Sequence, residues 1–241
     1  AMKLSAYCYT NQGGREHNED SVRCFAGEGR GIFVLADGLG GHNCGEVASA
    51  LAADAIIDGC AAGIPDADGL CHLFQEANAR ILRQQENPGQ EDMKTTAVAL
   101  SIAEDQAVWA HVGDSRLYHF SGDGLVHTTR DHSVTYMKYL GGEISYMDIY
   151  HDDDRSSLLR VLGKESCRPE AGGCALRAGD AFLLCSDGFW EYVYREEVLA
   201  DLLKAETPEQ WGKLMLLRHI RRAPAGNDNF SLIAVFVEEE L

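Results

Sequence analysis

The chain has 241 residues, 45% of them hydrophobic, and a formal net charge of −17. That length and apolar content provide a core and exclude a disordered chain. The charge disfavours a broad electrostatic surface for nucleic acid or anionic lipid, and is compatible with basic partners or with carboxylates offset by bound metal.

In chain order, stretches 4–10, 20–26 and 31–36 carry β-branched and aromatic residues between glycine-rich turns and read as strands. Residues 45–60 read as a helix, and 67–85 as a second in which Leu70, Leu73, Phe74, Ala77 and Ile81 recur at helical spacing. Strands follow at 95–103, 106–113, 116–121 and 125–130. Their connections are too short for parallel crossovers, which predicts an antiparallel meander. A short helix is expected near 132–140. Segment 141–166 contains the run His151 to Arg155, has no clean period, and reads as a surface flap or insertion. Strands return at about 174–177 and 180–185, then helices near 195–205 and 208–221, then a last strand at 230–238.

This order lacks regular βαβ alternation and predicts an α+β fold of antiparallel sheets with helices outside them. With no internal repeat and no long linker, residues 1–241 read as one domain. No basic-then-apolar leader opens the chain, and no apolar run reaches the roughly 18–20 residues that span a bilayer. The expectation is a cytoplasmic protein that binds neither nucleic acid nor membrane. Its eight cysteines include no C-x-x-C pair, so free thiols are expected and structural zinc is not.

Chemistry is concentrated where apparent strands meet turns. Glu19 and Asp20, Asp37 before Gly38, Asp114, Asp187 before Gly188, and Asp228 between Asn227 and Asn229 all stand at such points. Any one of them could be a turn residue or a helix cap. Taken together they would repel one another unless a cation intervened. Oxygen ligands in that number suit magnesium, manganese or calcium rather than zinc. No calcium-loop pattern is present, which favours a site built from distant segments, as in two-metal centres for phosphate-ester hydrolysis. Arg15, four residues before Glu19, is either a surface arginine or the group that grips the phosphate.

Eight segments in order resemble the metal-dependent protein phosphatases, the PPM or type 2C serine/threonine family, in their compact bacterial form. They are GGREHNEDS, FVLADGLGGHNCGEVAS, TTAV, AHVGDSRLYHF, TRDHSVT, LLRVLG, LRAGDAFLLCSDGFWE and NDNFSLIAV, spanning about residues 10 to 237. The resemblance implies a four-layer α/β/β/α sandwich, with two antiparallel sheets flanked by helix pairs. It implies two Mn2+ or Mg2+ ions: Asp37 bridges them, the Gly38 carbonyl binds one, and Asp187 and Asp228 bind the other. Glu19 or Asp20 completes the set, the motif favouring Glu19 as direct ligand and Asp20 through water. Asp114 with Asp187 matches the place of a third, weaker ion, and Arg15 matches the phosphate-gripping arginine.

The implied reaction is attack on phosphoserine or phosphothreonine by water or hydroxide bridging the metals, with no covalent phosphoenzyme. The general acid stays open. Leu39 stands where animal members carry a histidine, and His42 or a metal-bound water are the options. The implied partners are phosphoprotein substrates, a serine/threonine kinase and its targets, and the enzyme is expected to be a monomer. Residues 141–166 match the variable flap, where Asp152, Asp153 and Asp154 read as a solvated loop or as a bias towards phosphosites flanked by Lys or Arg. Two other functions compete. One is a silent phosphoprotein-binding relative, which the intact Asp37, Asp187 and Asp228 disfavour. The other is a hydrolase of a different phosphoester.

Overall fold

Successive residues of strand β3 (Arg30–Leu39) point to opposite sides, and both sides are buried. Phe33 and Leu35 enter one apolar cluster, while Val34 and Ala36 enter another. A strand apolar on both faces belongs in the middle of a layered fold. The computed structural model, which describes residues 2–27, 29–40, 44–60 and 63–239, places it there.

Strand β3 pairs antiparallel with β2 (Asp20–Gly27), β4 (Lys94–Thr95) and β5 (Ala97–Ala103). Strands β6 (Gln106–Val112) and β9 (Glu170–Ala175) extend this sheet on the β5 side. The second sheet runs in the order β1 (Met2–Asn11), β11 (Phe230–Glu239), β10 (Ala181–Cys185), β7 (Arg116–Ser121) and β8 (Gly124–Thr128), again antiparallel throughout. Between the sheets, Phe33, Leu35 and Leu100 meet Phe182, Leu184 and Ile233.

Helices α1 (Cys44–Cys60) and α2 (Ala67–Gln84) cover the outer face of the first sheet, burying Ile56, Leu70, Phe74 and Ile81. Helices α5 (Arg195–Leu202) and α6 (Pro208–Arg222) cover the second, with Trp211 and Met215 against Leu232 and Ala234. The four layers are those expected. Local chemistry starts the helices. Asp66 accepts from Gly69 N at 2.8 Å to cap α2, and Thr207 accepts from Gln210 N at 3.1 Å to cap α6, with Pro208 as its first helical residue.

The structure corrects the sequence reading in three places. The strands from 95 to 130 do not form one meander: β6 lies in one sheet and β7 in the other. The chain changes sheet at Gly113, whose φ of +105° is a conformation other residues rarely adopt. A Cβ there would stand 2.6 Å from Thr96 Cγ2. Cys8 and Cys24, expected as free thiols, form a disulfide between β1 and β2, the edge strands of different sheets. Helix α4 (Asp187–Trp190), one turn long, follows β10 where only a turn was expected.

Segment 141–166 is not wholly superficial. A 3-10 turn at Met147–Tyr150 buries Ile149 and Tyr150, and Leu162 bridges to Thr95. Helix α3 (Val134–Leu140), capped by Ser133, leads into it.

Candidate metal and phosphate site

The central strands of the two sheets deliver their carboxylates to the same edge of the sandwich. Asp37 lies near the end of β3, and Asp20 stands opposite it across the β2–β3 pair. Asp187 stands at the start of α4, just after β10, and the negative charge of its carboxyl acts on that of Asp37. Asp228 precedes β11, and Glu19 precedes β2. A cavity of about 390 Å³ opens here, lined by Arg15, Glu19, Asp37, Gly38, Asp187 and Asp228 among others. Asp20 and Asp114 are buried outside its lining.

Backbone contacts hold these residues in place. The Asp37 carbonyl accepts from Thr96 N and Thr95 Oγ1, both at 2.9 Å. Glu19 N donates to Asn229 Oδ1 at 2.9 Å, and the Asn229 amide donates at 2.8 Å to the carbonyls of Gln12 and His17. One asparagine therefore ties the Arg15 loop to the Asp228 loop. Gly38 and Gly188 permit close approach: a Cβ on either would lie 2.0 Å from a backbone oxygen, of Gly45 and of Asn229 respectively. The Asp114 carbonyl accepts from Trp190 Nε1 at 2.9 Å, joining the β6–β7 corner to α4.

Burial and crowding set the charge state. Burial is the main cause that lifts the Asp37 carboxyl well above its usual range, followed by the neighbouring Asp20. Burial and then Asp187 do the same to Asp114. Burial raises Asp187 and Glu19 as well. Asp20 is pushed up to about 7, first by burial, although the Ser186 and Ser231 hydroxyls at 3.0 and 2.5 Å from its Oδ2 oppose the shift. Its other oxygen, Oδ1, has no hydrogen-bond partner among the described residues. Arg15 pairs with Asp228 at 3.1 Å at the exposed rim. An all-oxygen donor set with an orphaned buried carboxylate oxygen fits hard divalent cations.

The sequence-predicted residues Arg15, Glu19, Asp20, Asp37, Gly38, Asp114, Asp187 and Asp228 all meet at this edge. His42 lies outside the described residues. Thr95, Thr96, Ser186, Ser231, Trp190 and Asn229 were not assigned roles, although the matched segments TTAV, LLCSDGFWE and NDNFSLIAV contain them. His17 also lines the cavity.

A second group, His111, His132 and Glu170, brings three potential ligand atoms within 4.8 Å of one another. It does not suit a metal. The two imidazoles are stacked 4.5 Å apart at 12°, so one ion cannot lie in both ring planes. His132 Nδ1 already accepts from Gly113 N at 3.1 Å, and Arg160 Nη1 stands 3.4 Å from Nε2.

Comparison with known proteins agrees with this geometry. The sequence profile of the family described as Protein phosphatase 2C matches residues 10–211. The chain is 28% identical over 233 residues to Protein phosphatase PhpP of Streptococcus pneumoniae, covering 94% of each. It is 31% identical over 230 residues to Serine/threonine phosphatase stp of Listeria innocua, covering 92% of this chain and 90% of the relative. The catalytic domain of the serine threonine protein phosphatase PstP in complex with 2 manganese ions superposes with a TM-score of 0.87 at 30% identity, covering 99% of this chain and 100% of that one.

Proposed function

The chain belongs to the protein phosphatase 2C family and is a metal-dependent serine/threonine protein phosphatase; from that premise we propose which of its residues carry the reaction. Glu19, Asp37, the Gly38 carbonyl, Asp187 and Asp228 hold two Mn2+ or Mg2+ ions. Asp20 supports them through water, and Asp114 with Asp187 holds a third, weaker ion. Bound there, the ions would lower the pKa of water and offset the phosphoryl charge.

The chain's own groups do the rest. Arg15 presents a planar fork to the phosphoryl oxygens, sharing or releasing Asp228 as substrate arrives. The Thr95–Thr96 clamp fixes Asp37, and Asn229 fixes Glu19, so the carboxylates need little rearrangement when charge develops. The substrate is a phosphoprotein, and the opposing partner a serine/threonine kinase. The first and last strands pair along their length, which supports a single catalytic domain with residues 141–166 as its flap.

The observation that carries this reading is the convergence of Glu19, Asp37, Asp187 and Asp228 from separate segments on one cavity, with Asp20 buried opposite Asp37. Calorimetric Mn2+ titration and phosphopeptide hydrolysis test it. Wild type is expected to bind two ions tightly and to release inorganic phosphate. Asp37→Asn should lose both properties while keeping its circular dichroism. Full activity in that variant, or in the presence of excess chelator, would overturn the assignment.

A further inference from the structure

The acidic run in the flap invites the expectation of basic substrates, but two of its three carboxylates are engaged by one lysine. Asp152 accepts from Lys138 Nζ at 3.1 Å and from Thr135 Oγ1 at 2.9 Å, and Asp154 accepts from the same ammonium at 2.7 Å. Lys138 thus offsets two of the three aspartates. The segment's Arg155 is held instead against α4. Its Nε donates to Glu191 Oε1 at 3.0 Å and its Nη1 to the Asp152 carbonyl at 3.0 Å. Its Nη2 has no hydrogen-bond partner among the described residues.

Glu191 places that guanidinium relative to the reaction. It ends α4, its N–H donating to the Asp187 carbonyl at 3.0 Å, so its side chain stands one helical turn from that of Asp187. The Arg155–Glu191 pair therefore lies directly beside a cavity-lining carboxylate. Arg155 acts electrostatically on Asp187, which agrees with this placement. The pair is asymmetric: the Glu191 side chain is 15% exposed and the Arg155 side chain 35%. The carboxylate is the fixed half and the guanidinium the half that a bound peptide can reach. Arg15 stands with Asp228 at the cavity rim.

Building on the phosphatase reading above, we propose that Arg155 is a specificity-determining residue that reads an acidic side chain close to the phosphorylated serine or threonine. Glu191 holds the guanidinium in place, and the free Nη2 edge is offered to the substrate carboxylate. The phosphate itself stays with Arg15. The preference is the reverse of the one that the aspartate run suggests.

Paired phosphopeptides that differ only in Glu or Lys beside the phosphothreonine provide the test, with kcat/KM measured in wild type, Arg155→Ala, Arg155→Lys and Arg155→Glu. A single partly exposed ion pair gives wild type an expected preference of about fivefold for the Glu peptide at low salt. The ratio should fall towards unity in Arg155→Ala, persist in part in Arg155→Lys, and invert in Arg155→Glu. Added salt should shrink the wild-type ratio. An identical ratio in wild type and Arg155→Ala, with both enzymes active, would overturn this proposal alone. A metal-loaded wild type that hydrolyses neither peptide would overturn the phosphatase reading and this one with it.

Discussion

Asp20 shows how a single carboxylate is placed against its own solvation. It is buried opposite Asp37, accepts from two serine hydroxyls on one oxygen, and leaves the other without a partner among the described residues. Its carboxyl titrates at about 7 against an ordinary 3.8, so the metal-free folded state holds a proton that the unfolded chain has released. The folded pKa lies above the unfolded one. The stabilising term is therefore complete below about pH 4 and is lost as pH rises through about 7. Metal-free protein should melt at progressively lower temperature between pH 5 and pH 8, as the neighbouring raised acids add to the trend. In chelator at pH 8, Asp20→Asn should melt above wild type, because the amide carries no charge to repel Asp37. In saturating Mn2+ the order should reverse, because wild type keeps the carboxylate that the ions favour. Scanning calorimetry under both conditions checks the pair of signs. A variant that melts below wild type in both would mean that Asp20 serves packing alone.

Among the elements, α4 does more than its four residues suggest. It carries Asp187 at its first position, Gly188 against the Asn229 carbonyl, and Trp190 on the Asp114 carbonyl. Arg116 stacks on the Trp190 ring at 3.6 Å and pairs with Asp131 at 2.7 Å, with both partners almost fully buried. Removing one partner of such a pair leaves an uncompensated charge, and Asp131→Ala is expected to cost about 3–5 kcal/mol in urea unfolding. Gly188→Ala acts differently. Its methyl would push α4 away from the loop that bears Asp228 and separate Asp187 from Asp228, the two ligands proposed above, with an expected loss of Mn2+ affinity of about 10–100-fold at nearly unchanged secondary structure. Sequence reading singled out Asp187 because LLCSDG repeats the strand-then-Asp-Gly pattern of LADG at Asp37, whereas either alone reads as a turn. It missed the helix because a single turn shows no period. The crossing between sheets at Gly113 escaped for a related reason: a very short connection between two strands looks the same whether they pair or part.

At the scale of the molecule, the layers were legible because the element order lacks βαβ alternation, α2 shows a clear apolar stripe, and eight segments resemble a family with that layering. What was not legible is what joins elements distant in sequence. The bond between Cys8 and Cys24 belongs to that class. The two residues lie 16 apart on strands that never pair with each other, so no spacing rule marks them. Yet β1 is the edge of one sheet and β2 the edge of the other, and the disulfide fastens the seam between them at the middle of β2. Closing a loop of that length removes freedom from the unfolded chain worth about 3 kcal/mol. Both sulfurs belong to exposed residues, so reductant reaches the bond without prior unfolding. Urea denaturation with and without dithiothreitol should therefore show wild type losing up to about 3 kcal/mol on reduction. Cys24→Ser should sit near the reduced value under both conditions, and thiol titration of unfolded, unreduced wild type should count two fewer thiols than after reduction. A reductant effect of equal size in Cys24→Ser would assign the stabilisation to other cysteines and leave the seam held by the apolar layer between the sheets.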